Sequence, residues 1–85
     1  MSWEVRVPKR ISKQIKKFPL GDRERVIAAL LGFKEDPWRG DIVKLEDEEN
    51  MWRRRVGNYR IFYTILSGIH VVEVNKAERR TSSTY

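Results

Sequence analysis

The densest chemistry in this chain is cationic and planar. The run Met51-Trp52-Arg53-Arg54-Arg55-Val56 sets three arginines side by side, Arg60 follows shortly after, and Arg79 and Arg80 come near the C-terminal end. A guanidinium stays charged at any physiological pH and offers paired N–H donors that match two phosphate oxygens. Attack of an RNA 2′-hydroxyl on its own phosphodiester passes through a pentacovalent phosphorane with added negative charge. Donors already aimed at such charge usually supply the largest electrostatic contribution, and a general acid or base adds roughly 10²–10⁴-fold. His70 is the sole histidine and falls inside an apolar stretch, so a two-histidine ribonuclease mechanism is excluded and His70 is read as a packing or surface residue. No Asp, Glu and His cluster has metal-ligand spacing, so two-metal chemistry is not expected and neither metal nor cofactor is implied. Arginine and tyrosine remain, with Lys44 and Lys76 in support.

The composition agrees with a polyanionic partner. Eighteen Lys and Arg against twelve Asp and Glu leave a net charge of +6, and such a basic chain is drawn to nucleic acid, a ribosome or an acidic protein. There is no cysteine, which excludes a disulfide framework, a thiolate zinc site and a cysteine nucleophile. Nothing resembles a signal peptide, and no stretch approaches the ~20 apolar residues of a membrane span. A soluble, cytoplasmic protein with no membrane partner is the expectation.

These groups must be held by a thin core. Trp3, Val5 and Val7 alternate with Ser2, Glu4 and Arg6, the period of a half-buried strand. Pro8 suits the first turn of a helix, in which Ile11, Ile15 and Phe18 recur at helical spacing while Lys9, Lys13, Lys16 and Lys17 lie off the stripe. Pro19 ends that helix, and Asp22 is the expected N-cap of a second one, whose apolar face comprises Val26, Ile27, Leu30, Leu31 and Phe33. Beyond Gly40 the pattern is of strands: 42–45, an acidic loop at 46–50, 51–56, a Gly57-Asn58 turn, 59–66, a Ser67-Gly68 turn, and 69–74, with a polar basic tail over 75–85. Chain 1–85 reads as one domain of the α+β class, two N-terminal helices packed on a mainly antiparallel four- to five-stranded sheet.

Strand alternation then sorts the charges. Arg53 and Arg55 point to one face and Trp52, Arg54 and Val56 to the other. With Tyr59, Ile61, Tyr63 and Ile65 as the apolar set of the next strand, Arg60 joins Arg53 and Arg55 on the open face. Tyr59, Phe62 and Tyr63 are read as core rather than as platforms for bases. Arg54 sits on the core side and is expected to reach outward along its stem.

Taken together, these segments resemble the RelE/ParE superfamily of type II toxins, and within it the RelE-like messenger-RNA endonucleases. The most recognisable stretch is Trp52-Arg53-Arg54-Arg55-Val56-Gly57-Asn58-Tyr59-Arg60-Ile61-Phe62-Tyr63, joined by Ile42-Val43-Lys44-Leu45, Glu78-Arg79-Arg80 and Tyr85. The resemblance implies a RelE-like fold and metal-independent RNA cleavage by 2′-hydroxyl attack in the ribosomal A site. It implies Arg53, Arg60, Arg79 and Tyr85 as catalytic residues, with Arg55, Lys44 and Arg80 binding substrate. Met51 stands where some members carry a further lysine. A cognate antitoxin, messenger RNA and the ribosome are the implied partners, and Lys9, Lys13, Lys16 and Lys17 are expected to grip ribosomal RNA. Two other readings stay open: a ParE-like gyrase poison without nuclease activity, and a nucleic-acid- or antitoxin-binding module that has lost its activity.

Overall fold

A computed structural model of the chain describes residues 2–46 and 49–79. Five strands and two helices follow in the order β1 (Glu4–Arg6), α1 (Lys9–Lys16), α2 (Leu20–Phe33), β2 (Ile42–Lys44), β3 (Met51–Val56), β4 (Tyr59–Leu66) and β5 (Val71–Arg79), with a short 3₁₀ turn at Ser67–Ile69. The strands form one sheet of spatial order β1-β5-β4-β3-β2, in which only the β1–β5 pairing is parallel. The helices cover one face, which is the expected α+β arrangement.

Strand β4 organises the core because its alternation is strict. Tyr59, Ile61, Tyr63 and Ile65 are buried and their neighbours are half-buried. Trp3 just before β1, Ile11 and Ile15 of α1, Val26, Ala29 and Phe33 of α2, and Val72, Val74 and Ala77 of β5 complete the cluster. Offset aromatic pairs lock the layers, Phe18 on Tyr59 and Phe33 on Tyr63, each with centroids 4.3 Å apart. The β3–β4 hairpin closes through Gly57 at φ +58, a conformation that glycine adopts without a Cβ penalty.

Several local expectations are corrected. Pro8 stands at the N-cap of α1 rather than in its first turn, while Pro19 follows the end of α1, as expected, and is the N-cap of α2. Asp22 lies in the first turn of α2 and does not cap it; its carboxylate instead accepts the Tyr59 hydroxyl at 3.3 Å. Ile27 and Leu31 are exposed, because a helix resting on one sheet buries only the stripe that includes Val26, Ala29 and Phe33. The last strand does not stop at Val74 but continues to Arg79. It does so across a bulge opposite Phe62 and Tyr63, where Phe62 faces Lys76 and Tyr63 faces Val74, leaving Asn75 as the extra residue.

Candidate nucleic-acid interface

Register assigns each side chain of the sheet to a face, since residues directly opposite on neighbouring strands share one. Tyr59, Ile61 and Tyr63 face the helices, so their β3 partners Val56, Arg54 and Trp52 do too. The uncovered face therefore carries Arg55 opposite Arg60, Arg53 opposite Phe62, and Met51 opposite Thr64. On β5 the same face carries Glu78 beside Arg60, Lys76 beside Phe62 and Glu73 beside Thr64. The structure thus brings Arg53, Arg55 and Arg60 together on adjacent strands, as the alternation required.

Their electrostatic situations differ. Arg55 is tied to Asp41, Nε to Oδ2 at 3.1 Å, and its backbone N–H donates to the Asp41 carbonyl at 2.9 Å. Both side chains are more than half exposed, so the pair is worth at most about 1 kcal/mol and is easily exchanged for a ligand. Lys76 pairs with Glu78 at 3.3 Å. Among the described residues, Arg53 and Arg60 have neither an ion-pair nor a side-chain hydrogen-bond partner, and the Arg60 Nε is buried without an acceptor. A desolvated N–H without a partner costs about 1–3 kcal/mol.

Other expected site residues lie elsewhere. Lys44 is opposite Trp52, so it sits on the helix-side face at the sheet edge, away from the three arginines. Arg79 is opposite Tyr59, which also places it on the helix-side face; its charge weakly opposes the rise in the Tyr59 pKa. The bulge is the cause. Strict alternation from Val72 and Val74 would have sent Arg79 to the open face, and one extra residue reverses the parity. Arg80 and Tyr85 lie outside the described residues. Lys9, Lys13, Lys16 and Lys17 are all exposed along α1 and its end, on the opposite side of the molecule from the open sheet face. Arg54 reaches out of the core as expected, donating to the Arg39 carbonyl at 3.0 Å beside Gly40 in a cleft of about 390 Å³.

Proton-transfer groups are sparse on the open face. The Tyr63 hydroxyl donates to the Pro37 carbonyl at 2.9 Å, and burial pushes it up to about 12 against a smaller opposing pull from Arg54. Tyr59 is likewise raised, by burial first and then by the Asp22 carboxylate. Neither is a base near neutrality. His70 stacks on Trp3 with centroids 4.1 Å apart at the other end of the molecule. Among the described residues no group of three or more His, Cys, Asp or Glu is placed to hold a metal ion, and no helix is long and apolar enough to cross a membrane.

Phe62 was missed. It stands in the middle of the open face, half-buried between Arg53 and Lys76, and belongs to no part of the core. The signal was present, because Phe62 has the parity of Arg60 and not of Tyr63.

The model of the ParE toxin of type II toxin–antitoxin systems, parDE, matches residues 7–81. The chain belongs to this ParE toxin family. A RelE1 protein of Methanocaldococcus jannaschii, provisionally a toxin, is 25% identical over 83 residues, covering 94% of this chain and 92% of the relative. Among solved structures, the archaeal RelE–RelB complex of Pyrococcus horikoshii superposes with TM-score 0.83 at 23% identity, over 98% of this chain and 100% of that one. The isolated RelE toxin of E. coli gives 0.82 at 20% identity, over 96% and 88%. These likenesses establish the fold, and with the family match they make the chain a RelE/ParE-family toxin.

Proposed function

We propose that this toxin blocks translation by cutting messenger RNA in the ribosomal A site, as a metal-independent endoribonuclease of the cytoplasm. The observation that carries this reading is the pair Arg53 and Arg60, neither of which has an ion-pair partner among the described residues, flanked by Arg55 on the sheet face away from the helices. The 2′-oxygen of one nucleotide attacks the adjacent phosphorus, its proton passes to a base, and the 5′-oxygen leaves with a proton, forming a 2′,3′-cyclic phosphate. Arg60 and Arg53 take the non-bridging oxygens, where charge grows. Arg55 exchanges Asp41 for the neighbouring phosphate. Tyr85 and Arg80 take the catalytic and substrate-binding roles that the family resemblance implies. The exposed lysines of α1 hold ribosomal RNA, and an antitoxin of complementary charge silences the toxin; RelE toxins of related fold crystallise with RelB.

A second reading is favoured by the matching family itself, which carries the ParE name: a gyrase poison that uses the same fold without nuclease chemistry. Mapping RNA 5′ ends in a translating extract, with and without ribosomes, decides between them. The proposal requires new ends inside open reading frames only when ribosomes are present. Intact messenger RNA together with arrested supercoiling by purified gyrase would establish the second reading instead.

A further inference from the structure

An aromatic ring in the centre of an uncovered, cationic sheet face needs an explanation. Phe62 has Arg53 on one side and Lys76 on the other, and its two neighbours along β4 on the same face are Arg60 and Thr64. No apolar partner layer covers it among the described residues, while the Lys76 ammonium lies 5.6 Å from its ring centroid. Next to it the bulge residue Asn75 donates from Nδ2 to the Thr64 hydroxyl at 2.8 Å, which fixes the amide and leaves its Oδ1 without a donor among the described residues. Beyond Asn75 a cleft of about 550 Å³ is lined by Arg6 and Arg10 but also by Glu73, and Arg6 is paired with Glu4 at 2.7 Å, so the phosphate-holding cations are those that flank the ring. Cations therefore lie on both sides of one aromatic platform, with an oriented amide beside it.

We infer that Phe62 stacks one unpaired nucleobase of a single strand, with the flanking phosphates held by Arg53 on one side and by Lys76 on the other, and with the Asn75 amide oxygen facing a donor on the base edge. Stacking between an aromatic side chain and a splayed base is the usual way proteins hold single strands, because every base has a π-face. Lys76 leaves the ring as the base arrives and moves to its phosphate. This inference rests on the reading that the open face takes RNA, and it names the residue that positions the strand over the arginines. Phe62 is thus a positioning residue, and its contribution appears in binding apart from cutting.

The test uses the full chain and fluorescence anisotropy with short labelled 2′-deoxy oligonucleotides, which bind but lack the attacking hydroxyl. Phe62→Leu, which keeps apolar volume, should weaken binding of a single strand by roughly 5- to 150-fold, whereas Phe62→Trp should retain it. The same strand with abasic sites should bind the unaltered protein as weakly as the intact strand binds Phe62→Leu, and a duplex should not distinguish the variants. Arg60→Ala should weaken all of these polyanions alike. If Phe62→Leu binds as the unaltered protein does, or loses equally on intact and abasic strands, the stacking role is overturned while the phosphate site stands. If Phe62→Leu instead weakens only the antitoxin, the ring is a protein anchor and the inference fails. If no oligonucleotide binds at low salt and Arg60→Ala changes nothing, the nucleic-acid reading of the face falls with it.

Discussion

Replacing Arg60 with methionine should move stability and activity in opposite directions. In the free protein the Arg60 Nε is buried without an acceptor, which costs about 1–3 kcal/mol. Its cross-strand neighbours are Arg55 on β3 and Glu78 on β5, a like and an opposite charge whose contributions of about 0.2–1 kcal/mol each largely offset one another. Methionine keeps most of the apolar stem and removes the unpartnered donor, so after allowance for imperfect packing a gain of about 1 kcal/mol is expected. For a domain of this size that raises Tm by roughly 4–8 °C, measurable by circular dichroism. Cutting should fall about 10²–10³-fold, the usual cost of one donor aimed at developing charge. Arg60→Lys, which keeps a charge but loses the planar fork, should recover part of the activity and little of the stability gain. Destabilisation together with lost cutting would make Arg60 a structural residue. Retention of cutting within about threefold would remove it from the site.

Three further outcomes follow from the same geometry. Arg79→Ala, on the helix-side face, should leave cutting within about tenfold and act chiefly on Tyr59; loss as deep as that of Arg60→Met would mean that the tail acts through a register other than the bulged one, read in the same translating extract. Gly40→Ala meets two obstacles, φ +104 and the Arg54 guanidinium lying where its Cβ would go, so urea unfolding should show a loss of about 1–3 kcal/mol. The raised Tyr63 pKa favours the protonated folded state, so its contribution is complete below the ordinary tyrosine pKa of about 10 and is lost as pH rises towards about 12; Tyr63→Phe should flatten the fall of Tm over that interval, and an unchanged slope would contradict the assignment.

Much of the fold was legible because its signals are local. The bounds of β3 and β4 follow from alternation and the Gly57-Asn58 turn, and Arg53, Arg55 and Arg60 share a face for the same reason. Two errors lay within reach of the same rule. Lys44 has the parity of Ile42, which packs against the core, and Phe62 has that of Arg60. Asp22 and the exposed pair Ile27 and Leu31 were harder, since how a helix rests on a sheet is settled by tertiary packing and not by its own sequence.

Arg79 was not legible at all, because its face depends on a single inserted residue. Without the bulge, Lys76 and Glu78 would follow Val72 and Val74 onto the helix-side face, while Ala77 and Arg79 would turn outward. With it, Ala77 closes the core, fully buried, and the open face gains Lys76 beside Phe62 and Glu78 beside Arg60. No composition signal marks Asn75 as the extra residue, although its amide is then held by Thr64 across the strand pair. The charge pattern of the face thus depends on a backbone irregularity as much as on the arginines. A change at Asn75 that restored regular pairing would put Lys76 and Glu78 against the apolar layer, and the cost of burying those charges is what holds the bulged register in place.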